Sequence, residues 1–227
     1  MTYITWFVAL ALSGAPPAQA PSSAGQRFDY LVRADFFAGI AGDRARMKRA
    51  MDLCEKTLAE NPAHPEALVW HGAGLFGQAG AAFQTGDPTT GRTLYDRGIE
   101  EMDRAVALAP DSPAVLIPRA AVLFEGTRNM SAALARPLLE SAVRNYEHVL
   151  EIQAPIFGGL GDHPKGELLF GLAEGWSRLG DAQRARAYFE RLIRDAPTSG
   201  QTVKAKEWMA TGTIPTSNGA SCVGCHK

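Results

Sequence analysis

Near the end of the chain stands SCVGCHK, which sets Cys222, Cys225 and His226 in the spacing C-x-x-C-H. Two thiols two residues apart can each add to one vinyl group of the same porphyrin, and the adjacent imidazole then lies over the iron. Val223 and Gly224, between the thiols, are small enough to pass beneath the ring edge. The pattern predicts one covalent haem c, with thioethers at Cys222 and Cys225 and His226 as proximal iron ligand. Other chemistry can use the same side chains. A thioredoxin-like pair needs a helix N-terminus after a strand, and the preceding TGTIPTSNGA supplies neither. A closed zinc site takes four ligands, and no second C-x-x-C and no H-x-x-H occurs in the sequence. The alternative is therefore a disulfide or a metal-binding tail.

Haem is attached outside the cytoplasm, and the other end of the chain agrees with that. An apolar run from Ile4 to Leu12 is followed by Ser13, Gly14, two prolines and Ala18-Gln19-Ala20. A short apolar stretch closed by A-x-A is the pattern of a cleaved export signal. Residues 1–20 are read as that signal and 21–27 as a linker, which predicts an exported, periplasmic protein. The apolar run is far short of the roughly 20 residues that span a bilayer, so no membrane span is expected after cleavage. A net charge of −1 gives no basic field for nucleic acid or an anionic surface.

The residues between these ends must position the tail. Ala, Leu, Arg and Glu are frequent and β-branched residues scarce, which favours helix. Three junctions look alike: ENPAHPEAL (60–68), LAPDSPAVL (108–116) and LGDHPKGEL (160–168). Each places a polar residue before Pro and a helix-forming run, a helix-start signal. Between 167 and 197, Leu169, Leu172, Ala173 and Trp176 form one helical stripe. Gly180-Asp181 then supplies a turn and a cap. A second helix buries Ala185, Tyr188, Phe189 and Leu192 and stops at Pro197.

This unit resembles the tetratricopeptide repeat in Ala173, Trp176, Gly180, Ala185, Phe189 and Pro197. Earlier units match less fully, at Ala50, Cys54 and Pro62, then at Gly98, Met102, Ala105 and Pro110. The closing prolines, Pro62, Pro110, Pro155 and Pro197, lie 48, 45 and 42 residues apart, more than the family's repeat length. The extra residues fall near 84–91, 125–131 and 156–166, so the helices are longer or the turns expanded. The resemblance implies an all-α fold, a superhelical array of antiparallel helix pairs over 28–210, with a flexible tail at 211–227. It also implies a concave face that binds a protein partner. The family's register puts Val69, Phe76, Ile117, Phe124 and Phe170 on that face, with Asp35, Glu174 and Arg178 towards its ends.

The chain carries no nucleophilic triad, phosphate loop or H-E-x-x-H, so nothing argues for an enzyme. Glu100-Glu101 reads as a solvated helix face, and Cys54 as a buried thiol. Weak candidates for a sixth iron ligand are His163, in the longest junction, His71 and Met209. His64 reads as a helix cap and His148 as solvent-facing. The expectation is an exported helical scaffold carrying one haem for electron transfer or redox sensing with a bound partner. The alternative is a non-haem periplasmic assembly scaffold.

Overall fold

The structure is a computed structural model that describes residues 27–213. The export segment at 1–20, and Cys222, Cys225 and His226, lie outside the described residues. The described chain is all-α: α1 (Phe28–Ile40), α2 (Arg44–Glu60), α3 (Pro65–Gln84), α4 (Pro88–Leu108), α5 (Pro113–Gly126), α6 (Ala132–Gln153), α7 (Asp162–Leu179), α8 (Ala182–Asp195) and α9 (Gln201–Thr211). Successive helices pair as α1 with α2, α3 with α4, α5 with α6 and α7 with α8, while α9 packs on α7 and α8. Each of α3, α5 and α7 also packs on the pair before it, so one core runs through the array. Among the described residues, no helix is long and apolar enough to cross a membrane.

Local chemistry sets the boundaries. Asp43, Asp87 and Asp181 each accept a hydrogen bond from a backbone N–H three residues on, which satisfies one donor of α2, α4 and α8. His64 does the same for α3, its Nδ1 accepting from the Ala67 N–H at 3.2 Å. Pro65, Pro88 and Pro113 occupy the first position of α3, α4 and α5, where a missing N–H costs nothing. Gly180 ends α7 at φ 89°, a left-handed conformation that a Cβ would strain.

The extra length of the early units goes mainly into helix. Of the two expectations, longer helices or expanded turns, QTGDPTTG meets the first: only Thr85–Asp87 lie outside helix, because Asp87 and Pro88 start α4 at once. The result is a pair of 20- and 21-residue helices. They cross at Gly72 and Gly98, where a Cβ on either residue would lie 2.7 or 2.8 Å from the other's carbonyl oxygen. The later expansions are 3-10 turns at Thr127–Asn129 and Phe157–Gly159.

The last pair packs as its sequence indicates. Leu169, Leu172, Ala173, Ala185, Phe189 and Leu192 are fully buried, with Tyr188 only half-buried. Helix α9 closes the array by packing Trp208 at a tilt against Phe189, ring centroids 4.6 Å apart.

Candidate functional site

The apolar groove expected from the helix register is not an open surface. Val69, Phe76, Phe124 and Phe170 are 0, 5, 6 and 7% exposed and belong to the core. The reason is local: Val69 and Phe76 lie in the stretch of α3 from Ala67 to Phe76 that is enclosed on every side. Phe124 stacks on Tyr146 of α6 at 5.3 Å, and Phe170 meets Phe189 of α8 edge-on at 5.9 Å. Only Ile117, 40% exposed, reaches solvent.

Asp35, Glu174 and Arg178 hold helices together. Asp35 accepts from Arg46 at 2.6 Å and from Arg49 at 3.2 Å, joining α1 to α2. Glu174 is buried on α7, 2.7 Å from Arg128 and 3.8 Å from Arg178. Arg178 also donates to the Phe124 carbonyl at 3.0 Å and to the Thr127 hydroxyl at 2.9 Å, tying α7 to the end of α5. Burial lowers the Arg178 pKa, whereas at Arg128 the Glu174 and Glu125 carboxylates outweigh burial and raise it. Removing one partner of a buried ion pair costs about 3–5 kcal/mol, but both guanidinium groups here keep some water. Glu174→Gln is therefore expected to cost about 1–3 kcal/mol, read as a lower urea midpoint at unchanged slope.

His71 is closed to a porphyrin. It is 1% exposed, with Nδ1 2.5 Å from Glu101 Oε2 and Nε2 3.6 Å from Glu55 Oε1. That second separation is too long for a hydrogen bond, so Nε2 is buried without one. Glu101 is thus no solvated acid: it joins α4 to the buried ring and accepts from Arg97 at 2.8 Å. The signal missed was its register, one turn from Gly98 on the face that crosses α3. Cys54, beside them, is fully buried, and burial with the Glu101 and Glu55 charges pushes its pKa from 9.0 to about 12. Because the folded value is raised, the thiol's contribution to stability is complete below pH 9 and lost as pH climbs towards 12. A thiol reagent at pH 8 is expected to leave Cys54 unmodified until denaturant is added; rapid labelling of native protein would contradict this.

His163 and Met209 lie at opposite ends of the last layer. His163 is the second residue of α7, not a cap, and its Nδ1 is 3.9 Å from Glu167. Met209 Sδ is 3.8 Å from Arg186 Nη1. Helix α9 runs parallel to α7, with Gln201 bonded to Glu167 at its start and Trp208 Nε1 to Ser177 Oγ, 3.1 Å, at its end. The chain therefore leaves α9 beside the last turn of α7, the end away from His163. His148 is paired with Asp111 at 2.7 Å and Glu151 at 3.3 Å; both bonds raise its pKa.

At that same end, α6, the last turn of α7 and the start of α8 enclose a half-open cleft of about 650 Å³. Its walls include Arg136, Arg144, Glu147, Trp176, Leu179 and Asp181. Trp176 Nε1 donates to Glu147 Oε1 at 3.2 Å, and the Arg184 guanidinium lies 4.2 Å from the indole centroid. Among the described residues, no group of three or more His, Cys, Asp or Glu side chains could hold a metal ion.

The tetratricopeptide-repeat family matches residues 167–199, the α7–α8 pair and the turn after it. The array as a whole is tetratricopeptide-like, a scaffold of the kind that binds other proteins. No curated protein matches the chain.

Proposed function

We propose that this is an exported tetratricopeptide-like scaffold that carries one covalent c-type haem on its tail. It exchanges electrons with, or senses redox state for, a protein held by the repeats. Cys222 and Cys225 form the thioethers and His226 is the proximal ligand to iron. The observation that carries the reading is C-x-x-C-H at 222–226, in a chain whose first 20 residues have the pattern of an export signal. Haem supplies a one-electron couple whose potential depends on axial ligation, burial and hydrogen bonding. What the scaffold contributes is a wall for the porphyrin and a surface for the partner.

The partner surface differs from a plain apolar groove. Since the core takes up most of the aromatic side chains expected there, recognition falls to the exposed residues of the odd-numbered helices, including Ile117 on α5. The test is the absorption spectrum of protein exported by cells with active c-type maturation. A Soret band and a reduced α-band are expected. Colourless protein with an intact helical fold contradicts the haem and leaves the non-haem scaffold.

A further inference from the structure

We propose that the α6–α7–α8 cleft is the dock of the protein's own haem-bearing tail. This rests on the haem reading of C-x-x-C-H, and adds where the group is held and by which residues. Three independent features point to it.

The first is reach. Trp208 is bonded to Ser177, so α9 delivers the chain to the residue adjoining Trp176, which lines the cleft. Cys222 lies nine positions beyond Thr213, and an extended chain covers about 3.3 Å per residue, or roughly 30 Å. That is ample to pass around the α7–α8 turn. The far end of α7, with His163, lies a further 20 Å or so along the helix at about 1.5 Å per residue. The cleft is the nearer site.

The second is size and surface. About 650 Å³ falls within the range of small-molecule sites. Trp176 and Leu179 are both partly exposed and offer flat apolar area to a ring that the tail's own small and polar residues cannot cover. The Trp176 indole is fixed by its bond to Glu147 and by Arg184 above it, so it is ordered before any ring arrives.

The third is charge. A porphyrin of this type carries two propionates, and the cleft presents two guanidinium groups from α6. Arg136 is paired at 3.0 Å with Glu140, and both side chains are exposed, so an anion can compete for it. Arg144 is exposed and makes no hydrogen bond or ion pair among the described residues. A guanidinium facing a cleft without a partner is suited to a carboxylate, which it can bind through two parallel bonds. Three carboxylates also line the cleft, each already engaged: Glu140 by Arg136, Glu147 by the Trp176 N–H, and Asp181 by the α8 cap and Arg184 at 3.4 Å. Among the described residues, Arg144 is the charged side chain there that is left without a partner.

The test is hydrogen exchange on full-length exported protein, read beside its intact mass. Haem-loaded wild type is compared with the haem-free Cys222→Ala/Cys225→Ala chain and with Arg136→Glu/Arg144→Glu. Docking predicts exchange slower by about fivefold or more at Trp176–Gln183 in the haem-loaded protein. The arginine variant, whose substitutions are exposed, should keep the haem mass and lose that protection. Haem mass with equal exchange in wild type and the haem-free chain overturns the dock while leaving the haem reading intact. Absence of haem mass overturns both.

Discussion

Gly98→Ala is expected to destabilise the protein by about 2 kcal/mol, and Gly98→Val by more than about 3 kcal/mol, although alanine is the better helix former. Propensity alone would favour alanine by about 1 kcal/mol in a helix interior. Here the added Cβ would lie 2.8 Å from the Gly72 carbonyl oxygen and 3.0 Å from the Phe76 nitrogen. Both are backbone atoms of α3 and cannot rotate away, so α3 and α4 must move apart. Separating them also opens the packing around Met102 and the His71–Glu101 contact. Gly77→Ala, on the same α3, provides the internal contrast. Nothing lies within 4 Å of a Cβ there, so that change is expected to stabilise by about 0.5–1 kcal/mol. Urea unfolding of the two variants side by side checks the sign of each. Equal effects would mean that α3 and α4 do not cross at these glycines.

The second large effect concerns chemistry rather than stability. The Cys222→Ala/Cys225→Ala chain is expected to lose all covalent haem, since both vinyl additions are removed. Each single variant keeps one thioether and a reduced yield. His226→Ala should keep any haem that is attached but change its spectrum, because an axial ligand is removed. None of these substitutions touches a residue of α1 to α9, so the helical array should stay folded by circular dichroism while losing whatever the docked haem adds to its stability. Full colour in the double cysteine variant would place the cofactor elsewhere.

The pairing of helices was legible in the sequence for a physical reason. Proline opens α3, α4 and α5, an Asp or His side chain caps α2, α3, α4 and α8, and Gly180 turns the last pair; each is a local requirement that the sequence displays. Ala173, Ala185 and Phe189 are equally local, because close crossing of two neighbouring helices dictates their size. Longer-range consequences were harder to read. Asp87 and Pro88 carry the same start signal as Ser112 and Pro113, yet the glycines and threonines around them resemble a loop. Asp87 and Pro88 start the helix there, and the packing of α4 along α3 carries it through. Phe76, Phe124 and Phe170 have the register of a concave face, but that face is open only where no neighbouring helix covers it. Glu101 next to Glu100 looks solvated until the α3–α4 crossing brings His71 against it. The cleft could not be read at all, since it joins residues of three helices spread from Arg136 to Gln183.

In the proposed reading Cys222, Cys225 and His226 hold the haem, and the described chain runs out just after Trp208, which is bonded to Ser177 beside the cleft residue Trp176. The most direct measurement is the intact mass, in acid denaturant, of the protein exported by cells that make c-type cytochromes. The account predicts a chain beginning near Pro21 with one added haem of about 616 Da that denaturant does not remove. A bare polypeptide, or one lighter by about two protons from a Cys222–Cys225 disulfide, would contradict it and leave a helical scaffold whose tail serves another end.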